Sequence, residues 1–349
     1  MKTLKPLLLA FVIILFLRIE SIAQQDAQFS NYMFNGLYYN PGYAGIEGVT
    51  RGTLITRKQW LGYDNSANNV EKGNGTSPTS MVLSVNSRLP FLKSRTGAGA
   101  NIVYDSRGPI TTYQVQLALA YHIKIGTGLL GVGVNGGVYG QRIDATYRVT
   151  DQSDAVYQYL QNNGGQALKP DFSVGLWYQT TKWYAGASLN HLSQSKFTYG
   201  TGNLNSSNLV DHHMYFTGGY TFKPSPSLEI TPTALIQTDL KQFTFLVGPM
   251  VTYNSKFWVG VNGRQSIAKK DINAGGGKTW SFDDVIIYAG INLMKDNRLK
   301  LGFAFDLVTS GTNAKTATSH EVMLSYMLPA PGATPKPKVR TPRYRHDEN

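Results

Sequence analysis

The sequence predicts an all-β protein: a transmembrane antiparallel β-barrel of about fourteen strands, of the bacterial outer-membrane type. Three observations carry that expectation. Large apolar side chains recur with a period of two along almost the whole chain. The faces opposite them hold Gly, Ser, Thr, Asn, Gln and Ala rather than the Lys and Glu of a water-washed sheet. The connections between strand candidates alternate between short and long, as the two rims of such a barrel require.

Composition agrees and narrows the chemistry. Of 349 residues only 15% are charged, against roughly 25% in soluble globular domains. Gly numbers 36, Tyr at 21 outnumbers Phe at 15, and Cys is absent. The lack of Cys excludes a disulfide framework, a thiolate metal site, a cysteine nucleophile and a lipidated N-terminal cysteine. The net charge of +12 admits nucleic acid, an anionic surface or an acidic partner. Nucleic acid is set aside, because the basic residues are scattered rather than striped with aromatics.

From the N-terminus, Lys2 and Lys5 precede an apolar run from Leu7 to Leu17, and Ser21-Ile22-Ala23 stands before Gln24. Basic start, short apolar centre and small-residue exit make residues 1–23 a cleaved signal peptide. The apolar run covers only about half of a ~30 Å hydrocarbon core, too little for an anchor. Its removal takes Lys2, Lys5, Arg18 and Glu20 and leaves a mature charge of +10. Residues 24–48 are aromatic and Asn-rich and lack clean alternation. They are expected to be ordered at the periplasmic end or inside the barrel as a structural plug.

Residues 49–328 are the barrel. Its strand candidates are residues 49–58, 79–89, 96–105, 110–123, 128–141, 170–179, 183–190, 211–223, 228–237, 242–253, 256–266, 284–294, 299–308 and 318–328. Most reach the 10 residues that a tilted strand needs to cross a bilayer. The clearest is Thr111 to Ile123, where Tyr113, Val115, Leu117, Leu119, Tyr121 and Ile123 share one face. Thr112, Gln114, Gln116, Ala118, Ala120 and His122 share the other. The same pattern sets Phe172, Val174, Leu176 and Tyr178 opposite Ser173, Gly175 and Gln179, and Leu301, Phe303 and Phe305 opposite Gly302 and Ala304. Charges on the second faces come singly: Glu229, Arg264, Lys300, Asp306 and Glu321. Tyr113, Tyr121, Trp183, Tyr253 and Tyr326 stand near strand ends, where amphipathic rings suit the headgroup level.

Pro90–Arg95, Lys124–Thr127, Thr180–Lys182, Pro224–Ser227, Asn254–Ser255 and Lys295–Arg298 are the short connections. Gln59–Pro78, Arg142–Lys169, His191–Val210 and Ile267–Asp283 are the long ones. Short turns belong at the periplasmic rim and long loops outside, and an even strand count puts both ends of the barrel on the short side. Residues 329–349 are Pro-rich, with five basic and two acidic residues. They read as an extended tail, with contact to the cell wall or another periplasmic anionic partner as its sharper reading.

Catalytic and metal signatures mostly fail. Ala274-Gly-Gly-Gly-Lys278-Thr279 looks like the end of a phosphate loop, but Ile272 stands where its first Gly belongs. His212 and His213 are adjacent, so on a strand they face opposite sides and do not share an ion. Asp151 and Asp154 are too few for a Ca²⁺ loop. Asn74-Gly-Thr76 and Asn205-Ser-Ser207 match a glycosylation acceptor and mean little in an outer-membrane barrel. A rim hydrolase built on His191 with Ser193 or Ser195 has no flanking pattern behind it. No catalytic residue, metal ligand or cofactor is expected, and the chain is read as a non-enzyme.

The mature start carries a more specific signal. Gln28-Phe29-Ser30-Asn31-Tyr32-Met33-Phe34-Asn35 is followed by Asn40-Pro41-Gly42-Tyr43-Ala44-Gly45. Arg57-Lys58-Gln59-Trp60 with Gly62, Asp105-Ser106-Arg107-Gly108-Pro109, Pro170-Asp171, Gly186-x-Ser188 with His191-Leu192, and Ser319-His320-Glu321 follow in order. This series, over about residues 24–328, closely resembles the PorP/SprF family of outer-membrane proteins of the type IX secretion system in Bacteroidota. Gly36 stands where that pattern usually has Pro, and the basic tail is a second departure. The resemblance implies a non-enzymatic component that assists secretion or surface attachment of specific cargo proteins, adhesins and gliding proteins among them. Its implied partners are the secretion machinery, the cargo and the bilayer. Its motif residues, structural or partner-binding, are Gln28, Tyr32, Asn35, Asn40, Pro41, Tyr43, Gly45, Gln59, Trp60, Asp105, Gly108, Pro109, His320 and Glu321. Loop length and aromatic content make Gln59–Pro78, with Trp60 and Tyr63, the first candidate for cargo docking, and Arg142–Lys169 the second. The alternative function is a porin or a FadL-like small-molecule uptake channel.

Overall fold

The computed structural model of the chain describes residues 26–61, 77–89, 95–144, 153–163, 165–201, 204–269, 278–309 and 318–329. Residues 1–25, Tyr63, Asn74–Thr76, Asp151, the whole glycine-rich run before Lys278, and residues 330–349 lie outside this set.

The strands, in chain order, are β1 (Val49–Lys58), β2 (Thr79–Leu89), β3 (Thr96–Arg107), β4 (Ile110–Ile125), β5 (Gly128–Ile143), β6 (Gln166–Gln179), β7 (Trp183–Asn190), β8 (Lys196–Thr201), β9 (Leu204–Leu209), β10 (His213–Tyr220), β11 (Phe222–Ser225), β12 (Leu228–Thr238), β13 (Gln242–Tyr253), β14 (Phe257–Lys269), β15 (Lys278–Leu293), β16 (Leu299–Val308) and β17 (Ser319–Pro329). Each wall strand pairs antiparallel with its neighbours in sequence, and β1 pairs with β17 from Val49↔Pro329 to Lys58↔His320. β10 pairs with both β7 and β12. β10 and β11 are two halves of one wall strand, separated at Thr221, so fourteen antiparallel strands form a closed barrel. Closure leaves no unpaired edge in the hydrocarbon, where an unsatisfied backbone group costs several kcal/mol. No helix among the described residues is long and apolar enough to cross a membrane; the chain crosses with strands.

The alternation has the expected sense. On β4, Val115, Leu117, Leu119, Tyr121 and Ile123 are exposed outward, Leu117 to 67%, while Thr112, Gln114, Gln116, Ala118, Ala120 and His122 are buried inward. An apolar exterior over a polar interior is what a hydrocarbon surround stabilises. At the short-turn end, Tyr121, Trp183, Tyr220, Tyr253 and Tyr326 stand exposed as an aromatic girdle.

The rims are sorted as the sequence suggests, with refinements. β6 begins at Gln166 and β15 at Lys278, so two of the long connections are shorter than read from the sequence. The β4–β5–β6 ladder runs on to Arg142↔Gln166, because backbone pairing continues past the apolar stretch that announces a strand. On β15 a register shift against Arg264 and Gln265 lets Trp280 and Phe282 face outward before the bulge and Ile287 after it. The connection after β7 is itself a hairpin, β8 with β9. A helix absent from the sequence reading, α2 (Ala155–Asn163), packs Leu160, Val156 and Tyr159 against Phe197, Tyr199 and Val210. Asp154 caps it, its Oδ1 accepting from Val156 N and Tyr157 N at 2.9 Å each, which accounts for this carboxylate without calcium. The short helix α1 (Gly36–Tyr39) precedes the barrel.

Candidate functional site in the barrel lumen

Every residue from Asp26 to Gly48 is buried or nearly so. The segment starts at the long-loop rim, where Asp26 meets His191 and His213, and ends at the short-turn rim, where Gly45 N donates to Asn86 Oδ1 at 3.1 Å. The first described residue therefore lies at the end of the barrel opposite to where β1 begins. Three short turns compact the path: Tyr32–Phe34, α1, and Pro41–Tyr43. Pro41 occupies the first turn position, where its missing N–H costs nothing, and the Asn40 side chain accepts from Gly42 N at 2.8 Å. The Asn40 amide also donates to Leu176 O and Ala187 O, at 2.9 and 3.0 Å, pinning this turn to β6 and β7.

Small wall residues make room for it. A Cβ on Gly133 of β5 would stand 2.3 Å from the carbonyl carbon of Pro41, so only glycine lets the two backbones meet there. Gly36 has a similar role within the segment, because a Cβ there would lie 2.6 Å from the Tyr43 ring. Aromatic rings fill the remaining width. Tyr43 meets Trp177 edge-on at 4.9 Å, Trp177 stacks on Tyr184 at 5.3 Å, Phe34 packs on Trp258 at 4.6 Å and Tyr39 on Tyr215 at 5.3 Å. Tyr32 shares a hydrogen bond with Thr233 Oγ1 at 2.9 Å, and the Tyr38 hydroxyl donates to Ala27 O at 2.9 Å.

Toward the long-loop rim the contacts become ionic. Glu321 accepts from Ser30 N and Asn31 N at 2.7 Å each and from Asn31 Nδ2 at 2.8 Å. Asp306 accepts from Ser30 Oγ at 2.8 Å and pairs with Arg57 at 2.7 Å and Arg264 at 3.3 Å. Arg264 also pairs with Asp284, and Arg57 donates to Gln28 O at 2.7 Å. Three carboxylates, two guanidiniums and the backbone N–H groups of the segment pair with one another out of water, leaving the Arg57 and Arg264 Nε groups without a hydrogen-bond partner. Above this cluster lies a cavity of about 370 Å³. Asp26 to Gln28 lie on one side, and Trp60, Arg107, Arg264 and Asp283 stand on the others.

The motif residues separate accordingly. Gln28, Tyr32, Asn35, Asn40, Pro41, Tyr43 and Gly45 are in the lumen segment, and Glu321 holds it directly. Gly45 has φ +66°. Gln59 and Trp60 line the cavity, with Gln59 N donating to Pro78 O at 2.8 Å and Trp60 N to Ser319 Oγ at 3.2 Å. Asp105 faces inward, binding Ser80 at 2.6 Å and Arg107 at 2.8 Å. Gly108, at φ +59°, and Pro109 make a tight turn on the long-loop rim. His320 points the other way, between the outer-face rings of Phe303 and Phe305. Tyr63 lies outside the described residues. Both ring nitrogens of His191 face carboxylates, Asp26 and Asp171, so neither is positioned to take a proton from Ser193 or Ser195. Ser193 and Ser195 instead donate to Pro170 O.

Sequence reasoning missed the convergence of Arg57, Arg264, Asp284 and Asp306, and the company His213 keeps with His191 and Asp26. Alternation gives each charge its face, but which charges meet depends on register: Arg264 stands directly opposite Asp284, and Glu321 opposite Ala304.

A closed fourteen-strand barrel with an apolar exterior and its own N-terminal segment in the lumen defines an integral outer-membrane β-barrel protein. The chain belongs to the PorP/SprF family, whose profile, described as type IX secretion system membrane protein PorP/SprF, matches residues 21–326. It is thus an outer-membrane component of the type IX secretion system. No curated protein matches the sequence. Among solved structures it is similar to the toluene transporter TbuX of Ralstonia pickettii, at 13% identity and TM-score 0.44, covering 84% of this chain and 93% of that one. A FadL homologue of Pseudomonas aeruginosa gives 10% and 0.42, over 80% and 90%. OmpF of Salmonella typhi gives 9% and 0.32, over 81% and 98%.

Proposed function

We propose that this chain is a non-enzymatic docking component of type IX secretion, assisting secretion or surface attachment of specific cargo proteins of the adhesin and gliding type. The observation that carries this reading is the occupied lumen. A barrel whose interior holds Asp26–Gly48, tied to the wall from Glu321 to Asn86, is suited to presenting a rigid rim rather than conducting solutes. The long-loop rim then faces outward and the short turns face the periplasm. Cargo docks at the rim cavity around Trp60 and in the connection from Gln59 to Pro78 that contains Tyr63. Residues 1–23 are removed as a signal peptide, and the basic tail from residue 329 reaches the periplasm, where the cell wall is its anionic partner.

The test pairs two measurements on the mature protein. In planar bilayers the purified barrel is expected to stay closed, and affinity isolation from membranes is expected to recover one large surface protein whose display is lost when the gene is deleted. Steady open-channel currents with unchanged surface display would overturn the proposal in favour of a small-molecule channel.

A further inference from the structure

The geometry points to a first-row divalent metal site, suited to zinc, that fastens the N-terminal end of the lumen segment to the barrel wall. Its ligands are Asp26, His191 and His213. One donor atom from each lies within 4.8 Å of the other two, although the residues come from the lumen segment, the end of β7 and the start of β10. His191 Nε2 stands 2.9 and 3.0 Å from the two Asp26 carboxylate oxygens, and His213 Nε2 stands 3.4 Å from Asp26 N. The two imidazoles lie 5.4 Å apart between ring centres and nearly perpendicular. Tetrahedral zinc with bonds of 2.0–2.1 Å sets its donors about 3.3 Å apart, so closure asks for little more than an ångström of side-chain rotation.

The surroundings are those a metal-binding histidine needs. A ligating imidazole is normally held through its other nitrogen by a carboxylate or carbonyl, which orients the ring and raises its basicity. Both rings have such a group within reach of Nδ1. His191 Nδ1 stands 2.9 Å from Asp171 Oδ2, close but outside hydrogen-bond geometry, and His213 Nδ1 lies 3.1 Å from Asp211 O. Each Nε2 is thereby the nitrogen turned toward Asp26. Tyr215 donates to Asp26 Oδ2 at 2.6 Å, and the rings of Tyr139 and Tyr215 pack against His191 and His213. Charge points the same way. Two carboxylates, Asp26 and Asp171, converge on one imidazole beside the rim cavity. Two nitrogens and one carboxylate suit zinc, nickel or copper and are a poor set for calcium or magnesium. Water or the Tyr215 oxygen completes the coordination.

The full mature chain, without a polyhistidine tag, is purified in detergent, stripped with chelator, loaded with zinc chloride and passed through gel filtration before metal analysis. One retained zinc per chain is expected, with a rise in Tm that magnesium chloride does not produce. The substitutions His213→Gln and Asp26→Asn should abolish retention, and Asp171→Asn should weaken zinc about 10- to 100-fold. His212→Gln and His320→Gln should retain it. Should the ligand variants fail to fold, cobalt(II) on the wild-type protein decides through its tetrahedral visible absorption. Absence of retained zinc and of that absorption, or retention undiminished in a folded His213→Gln protein, would overturn the site.

Discussion

Glu321 and His320 are neighbours in one sequence motif and face opposite solvents. Glu321 accepts three hydrogen bonds from Ser30 and Asn31 inside the barrel, while His320 rests on lipid-facing phenylalanines. Glu321→Gln should therefore destabilise the folded protein by about 2–3 kcal/mol, the worth of charge-assisted bonds lost from a buried acceptor. His320→Ala should change stability far less. Denaturant unfolding in detergent compares the two directly. Glycines divide in the same way. Gly133→Val drives a side chain into the Pro41 backbone and should cost about 1–3 kcal/mol or more by overpacking, with the lumen segment becoming protease-sensitive. Gly52→Ala, whose Cβ meets nothing nearer than 3.9 Å, should be close to neutral in the same assays.

At the scale of elements, the cap on the long-loop rim is a separate unit. α2 and the β8–β9 hairpin share a small apolar cluster of Leu160, Phe197, Tyr199, Val210 and Tyr139, beyond the lipid-facing belt. Phe197→Ala should loosen this cap while the wall ladders remain, because the hairpin pairs only with itself. Trypsin cleavage at Lys196 should become faster with little change in barrel Tm. The wall strands were legible because a bilayer imposes one rule along every one of them, apolar outward and small or polar inward. The cap was not legible because no such rule governs it. Its helix has only Asp154 and the spacing of Val156, Tyr159 and Leu160 to announce it, in a connection that reads as a loop. The β15 bulge was hidden for a related reason, since one extra residue flips the phase that the alternation rests on.

For the whole molecule, the lumen segment is what separates a wall from a pore. Deleting residues 26–45 removes the aromatic filling and the partners of Glu321, Asp306 and Arg57. Chains that still insert should conduct ions in planar bilayers and sensitise cells to large hydrophilic antibiotics. An equally impermeable barrel would show that other parts of the chain close the lumen. The net charge that first suggested an anionic partner is redistributed by folding. Arg57 and Arg264 are consumed by Asp284 and Asp306, and Arg51 by Glu47 at 2.8 Å.

The sequence by itself determined the barrel, its strand number, the sorting of its connections and the family motifs. Each of these is written locally, as a period of two, a loop length or a run of consecutive residues. Only the tertiary structure decided that the motifs form one constellation: Ser30 with Asp306, Asn31 with Glu321, Gln28 with Arg57, and Asp26 with His191 and His213. Those partners lie from 29 to 290 residues apart in the chain. They meet because barrel closure and strand register bring distant inward faces around one threaded segment. Alternation tells which way a side chain points, and register tells what it meets.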